Sequence, residues 1–266
     1  MNQTFSLHRF IQLNRWFWAL NGRAYTLGLL ALLAASLFMP LQLLTNTDQY
    51  YYALEANCFS FFLLLILLGT GLLSSHVFGA LHEPHASVQY LMIPASRTEK
   101  FLLGVAYCLG FVVLFTALYT GVTAALFAHV NTLLPKTEQR YVVMVRNPDF
   151  ARAFNVLVFL LALLIPVCFL GALYFRRAVF VRNAVIAVGG FLGLRYLYGG
   201  LLGLFFPGRN ISYSLPFMDV TIGSLGRPAE GSVQVALHPL LGVGAPLLLL
   251  VAVWCIARIR FNEIER

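Results

Sequence analysis

The sequence predicts an all-α membrane protein with six transmembrane helices, an N-terminal interfacial helix and a short cytoplasmic coupling helix. Hydrophobic residues make up 60% of the 266 residues and charged residues only 11%, whereas soluble proteins carry about 25% charged residues. This composition excludes an ordinary soluble domain and also a disordered chain. The apolar residues form continuous runs without strand-like alternation, which favours helices over a β-barrel.

The first 23 residues are predicted to form a helix that lies in the cytoplasmic interface of the membrane. Polar residues from His8 to Arg15 recur at helical spacing, and aromatic and aliphatic residues occupy the rest of the surface. A frayed tail is the alternative. The Asn21-Gly22 pair is predicted to break this helix before the first span begins.

Six apolar stretches are long enough to cross the hydrocarbon core, which needs about 20 residues. They are residues 24–44, 57–75, 101–128, 153–175, 183–206 and 239–257, within a single membrane domain over residues 1–266. The fifth stretch contains Arg195, and an arginine inside a span normally faces water or a partner. Arg195 is therefore a candidate for a pore lining or a subunit interface, unless the fifth span is short or broken.

The distribution of basic residues predicts the orientation of the chain. With the N-terminus inside, eleven of the 18 basic residues fall in cytoplasmic segments and six in external segments. The positive-inside rule then favours an N-in, C-in topology. The net charge of +8 is thus explained without nucleic acid. The longest external connection, residues 207–238, combines proline and glycine with apolar residues and is either a re-entrant segment or a surface loop.

The connection between the second and third spans contains a predicted short helix over residues 83–93. Glu83 precedes a proline that suits the first helical position, and Val88, Leu91 and Met92 form one apolar face. Pro94 ends this helix. The helix could simply lie on the membrane surface, or it could dock a partner.

Residues 96–99 have the pattern of a capping box for the third span, with Ser96 as the cap and Glu99 as its partner at the third helical position. Arg97 and Lys100 are predicted to hold that end of the span in the cytoplasm.

This segment resembles the membrane subunits of ABC-2 type exporters, in a version similar to permeases of the Bacteroidetes lineage. In that family, a glutamate after the second span is followed by the coupling helix and then by proline, a small residue, serine and arginine. Glu83, Pro94, Ser96 and Arg97 match this order. Residues 84–87 depart from many members, which have a second charge and a Gly-Thr pair there.

The resemblance implies a permease of the bacterial cytoplasmic membrane that pairs with a second copy or a paralogous permease. A separate cytoplasmic ABC ATPase would supply ATP hydrolysis, since the sequence has no G-x-x-x-x-G-K-[ST] motif. The implied ATPase-coupling residues are Glu83, Val88, Leu91, Met92, Pro94, Ser96 and Arg97.

No catalytic residues, metal ligands or cofactors are expected in the chain itself, and the expected partners are the ATPase, a second permease and membrane lipid, with no nucleic acid. The alternative function is that of a non-transport structural or assembly protein of the membrane.

Overall fold

The computed structural model describes residues 5–45, 50, 52–78, 92–93, 95–135, 140–142, 148–175, 178–205, 207, 210–213, 220–223, 233–235 and 245–264. Six α-helices account for most of this part of the chain. They are α1 (Leu7–Leu41), α2 (Tyr52–Val77), α3 (Arg97–Leu133), α4 (Pro148–Tyr174), α5 (Val179–Phe205) and α6 (Ala245–Ile264). A 3-10 turn, Gln42–Thr45, follows α1.

The first five predicted spans coincide with α1 to α5, and these five helices are long and apolar enough to cross a membrane. These five candidate spans are Leu7–Thr45, Tyr52–Val77, Arg97–Leu133, Val156–Tyr174 and Val179–Phe205. The chain is therefore a multi-pass integral membrane protein. The last seven residues of α6 carry Arg258, Arg260 and Glu263. Because the predicted sixth span starts at residue 239, before the described helix, that span stays a prediction.

The predicted break at Asn21-Gly22 is wrong, since α1 runs without interruption through both residues. The Asn21 side chain donates a hydrogen bond back to the Phe17 carbonyl, and Gly22 lies beneath the ring of Trp18. Packing thus overrides the local turn tendency of the pair. At about 1.5 Å per residue, the 35 residues of α1 extend over about 52 Å, beyond the ~30 Å hydrocarbon core. An interfacial position for residues 1–23 stays a prediction.

The connection between α5 and α6 contains a small sheet that the all-α prediction did not include. Strands β1 (Asn210–Tyr213), β2 (Val220–Gly223) and β3 (Val233–Val235) pair antiparallel in sequence order. Their sequences are rich in valine, isoleucine, threonine and tyrosine, which favour strands. Most of residues 207–238 lie outside the described residues, so the re-entrant segment stays a hypothesis.

The helices pack around α2 and α4, which contact each other extensively. On one side α1 packs against α2 and α3, and on the other α6 packs mainly against α4. The fifth helix, α5, contacts α2 and α4 but is the most exposed of the five candidate spans.

Three buried clusters follow one another along the bundle. The first contains Phe78, Phe101, Phe169 and Phe261; the second is centred on Phe62; and the third includes Leu43, Cys58 and Phe127.

A buried hydrogen bond links α2 and α3 at the edge of the middle cluster. The hydroxyl of Tyr119, which is fully buried, donates to the carbonyl of Cys58 at 2.9 Å. The Tyr119 ring also stacks on Phe62, with ring centroids 4.9 Å apart.

The Tyr119→Phe variant should unfold with a free energy lower by about 1 kcal/mol, because it loses one buried hydrogen bond and keeps the ring packing. Thermal unfolding of the purified protein in detergent measures this. Tyr52→Phe is the matched control, since Tyr52 is 68% exposed. A Tyr119→Phe variant as stable as Tyr52→Phe would mean that the bond contributes nothing.

Candidate functional site

A buried carboxylate joins the start of α3 to the start of α1. The predicted capping box is confirmed: Glu99 N–H donates to Ser96 Oγ at 3.2 Å, and Ser96 N–H donates to Glu99 Oε2 at 2.7 Å. The other carboxylate oxygen, Oε1, accepts from the backbone N–H of Ser6 at 2.7 Å. It also forms an ion pair with Arg9 Nη2 at 3.2 Å.

The burial and the bonding of the Glu99 carboxylate indicate that it links α1 to α3 structurally. Its side chain is 0% exposed, whereas that of Arg9 is 31% exposed. Both oxygens are occupied by two backbone donors and a guanidinium. Hydrogen bonds to an ionised group are the strong ones in proteins, and this acid position at the helix start also suits the helix dipole.

The C-terminal helix reaches the same turn of α3. Arg258 Nη2 of α6 donates to Thr98 Oγ1 at 2.9 Å, and its guanidinium lies 5.7 Å from the ring centroid of Phe101. We name the set Ser6, Arg9, Ser96, Thr98, Glu99 and Arg258 the Glu99 junction. It connects α1, α3 and α6 within a single helical turn of α3.

The two basic residues predicted to anchor this end behave differently. Arg97 is exposed, whereas Lys100 is 4% exposed and so is buried within the protein. Lys100 therefore packs against the protein, and the assignment of this end of the span to the cytoplasm stays a prediction. The position of Lys100 next to Glu99, on the side of α3 that packs inward, explains the burial.

Most of the predicted coupling helix lies outside the described residues. Glu83, Val88, Leu91 and Pro94 belong to that part, as do the histidines at positions 82 and 85. Met92 is 79% exposed, in keeping with an apolar residue that is not part of the core. Ser96 and Arg97 are described, and Ser96 caps α3. The structure thus places the end of the predicted motif directly at the Glu99 junction.

A second buried polar group joins α5 to α2 and α4, and no sequence pattern indicated it. Asn183 Nδ2 donates to Ser75 Oγ at 2.8 Å and to the Cys168 carbonyl at 3.0 Å. Asn183 is 1% exposed. The backbone of Gly171 approaches its amide so closely that a Cβ there would overlap Asn183 Oδ1.

Arg195 lies on the exposed surface of α5. Because α5 is continuous over 27 residues, the alternative of a broken fifth span is wrong. Among the residues that the structure describes, no group of three or more histidine, cysteine or acidic residues is placed to hold a metal ion. All four cysteines are free thiols, and all except Cys255 are buried.

Comparison with known protein families, with curated proteins and with solved structures gives no significant match for this chain.

Proposed function

We propose that this chain is the membrane subunit of an ATP-driven exporter of the ABC-2 type, to which a separate cytoplasmic ATPase supplies the energy. The observation that carries the proposal is the Glu99 junction at the end of the predicted coupling helix. Only residues 94 and 95 separate that helix, residues 83–93, from Ser96, which caps α3.

The Glu99 junction would transmit a movement of the coupling helix to the membrane-spanning helices. A movement of residues 83–93 would act on the first turn of α3, which holds α1 through Glu99 and α6 through Thr98. Charge-assisted hydrogen bonds in a buried setting resist separation. Three helices would therefore move together, as a permease that rocks between two states requires.

The proposed topology has six spans with both termini in the cytoplasm of a bacterium. α6 supports the sixth span, because its first half is apolar and its basic residues follow at the end assigned to the cytoplasm. The Glu99 junction supports it as well, since it brings the starts of α1 and α3 to the end of α6.

The proposed partner in the membrane is a second copy of the chain or a paralogous permease. Glycines along α5 support this, because no neighbouring atom of the part of the chain that the structure describes lies within 4 Å of the position that a Cβ would take at Gly189, Gly193 or Gly203. Small residues let two membrane helices approach closely. Arg195 on the same helix would then line the pore or the subunit interface, where an intramembrane charge finds water or a partner.

The Leu91→Asp variant should lose the ATPase from the purified complex, since a charge replaces the centre of the apolar face that docks. The Glu83→Lys variant should retain the ATPase but uncouple hydrolysis from the membrane subunit. Ala86→Asp, on the opposite face of the predicted helix, is the matched control and should leave both properties unchanged. Affinity purification of the full chain, followed by an ATPase assay in lipid nanodiscs, measures them.

An equal amount of ATPase with Leu91→Asp and with wild type would contradict the docking role of this segment. If wild-type chain purifies with no ATP-hydrolysing subunit at all, the non-transport structural or assembly role replaces this proposal.

A further inference from the structure

A cavity of about 880 Å³ lies between α1, α2 and α3, outside the Glu99 junction. Ligand sites for small molecules have volumes of about 300–1,000 Å³. The cavity is lined by residues of α1 between positions 10 and 32, of α2 between 69 and 76, and of α3 between 103 and 114.

One end of the cavity is polar and aromatic. The Tyr107 hydroxyl donates to Asn14 Oδ1 at 2.7 Å, and the Tyr107 ring lies 5.9 Å from that of Tyr25. The Tyr25 ring in turn meets His76 edge-on at 6.0 Å. The Tyr25 hydroxyl is buried and has no hydrogen-bond partner within the described part of the chain. This end therefore offers donors and acceptors to a bound group.

The other end of the cavity is apolar, with leucines and Phe111 in its lining. Leu29 and Leu32 of α1 face Leu72 of α2 and Leu114 of α3 across it. Gly69 allows α2 and α1 to approach each other closely here, because a Cβ at this position would lie 2.8 Å from Leu32 Cδ1. The lining thus changes from polar to apolar along the helices.

The part of the cavity that α3 lines is about as long as one leaflet of a bilayer is thick, while the lining on α1 reaches further, from position 10 to position 32. Residues 103–114 of α3 extend over about 16 Å, which is about half of the ~30 Å hydrocarbon core. The polar end lies toward the start of α3, where Trp18 and Tyr107 have the aromatic character typical of the headgroup level. A phospholipid in that leaflet likewise has its polar headgroup at the membrane surface and its apolar chains toward the centre of the bilayer.

We propose that this cavity binds one acyl chain of a membrane phospholipid. The chain lies between the leucines of α1, α2 and α3, and the ester region accepts a hydrogen bond from the Tyr25 hydroxyl. The site is independent of the ATPase and is tested without it.

Two glycines make a direct test feasible. Gly28 and Gly110 line the cavity, and among the described residues no atom of another part of the chain lies within 4 Å of the position of a Cβ at either. Gly110→Leu or Gly28→Leu should therefore fill the cavity without disturbing the helices. Gly121→Leu is the matched control, because Gly121 also lies on α3 with open space around it but does not line the cavity.

Native mass spectrometry of the delipidated full chain, titrated with phosphatidylcholine, should detect one tightly bound lipid. Gly110→Leu and Gly28→Leu should each weaken this binding about tenfold or more, since the chain loses several buried methylene contacts. Gly121→Leu should bind as wild type does, and Tyr25→Phe should bind several-fold more weakly. Thermal unfolding confirms that each variant is folded.

The proposal is overturned if Gly110→Leu and Gly28→Leu, both folded, bind phosphatidylcholine as tightly as Gly121→Leu. It is also overturned if wild type retains no lipid, or if wild type is a dimer that excludes lipid and Gly110→Leu converts it to a monomer. In that last case, a second copy of the chain occupies the cavity.

Discussion

The Glu99→Ala variant should lower the free energy of unfolding by about 3 kcal/mol, a cost typical of breaking a buried ion pair by removing one partner. The variant removes the acceptor for the Ser6 and Ser96 backbone N–H groups and leaves Arg9 without its carboxylate. The connection between α1 and α3 at this end would then lose its buried carboxylate and the hydrogen bonds and ion pair that this group accepts. Thermal or denaturant-induced unfolding of the purified chain in detergent measures the change.

The ion pair between Arg260 and Glu263 provides the matched control. Both of these side chains are exposed, at 36% and 52%, so Glu263→Ala should cost at most about 0.5 kcal/mol. Combining Arg9→Ala with Glu99→Ala should cost clearly less than the sum of the two single variants, because both act on one interaction. Equal stability of Glu99→Ala and Glu263→Ala would refute the role assigned to the junction.

The Gly171→Ala variant should destabilise the packing of α5 on α4 by about 2 kcal/mol or more. An added methyl group would overlap Asn183 Oδ1, and relief of that overlap would pull Asn183 away from Ser75 and the Cys168 carbonyl. A glycine-to-alanine change in a helix with free space around it stabilises by up to about 1 kcal/mol. A decrease in the free energy of unfolding would therefore support the close contact, and an increase would contradict it.

Gly121→Ala serves as the control, since no neighbouring atom of the described residues lies within 4 Å of its Cβ position. It should be neutral or stabilising. Adding Asn183→Ala to Gly171→Ala should recover part of the lost stability, because the smaller side chain removes the overlap. A Gly171→Ala protein as stable as Gly121→Ala would contradict the close approach of the two helices.

Much of the helical framework was predictable because membrane spans are long and their composition is extreme. Five of the six predicted stretches coincide with helices long enough to cross a membrane, and the Ser96–Glu99 capping box could be predicted because its two residues lie in one turn. Local patterns of this kind need no knowledge of tertiary contacts.

The parts that were missed depend on residues far apart in the sequence. Arg9 and Glu99 are separated by 90 positions. In the sequence, Arg9 was explained by the membrane topology and Glu99 by the capping box, so nothing indicated that they form a pair. Asn183 and Ser75 are separated by 108 positions, so the buried amide gave no signal in its own segment. The Asn21-Gly22 turn tendency was real, but the packing of Trp18 over Gly22 within a continuous helix prevailed.

The most direct test of the exporter proposal is to purify the full chain from the membranes of the cells that produce it and identify what accompanies it. Under this proposal we expect a nucleotide-binding subunit in near-stoichiometric amount, whose ATPase rate in nanodiscs changes with Glu83→Lys while the membrane subunit keeps its unfolding temperature. A purified chain with no such subunit, or an ATPase rate that Glu83→Lys and Ala86→Asp leave equally unchanged, would contradict it.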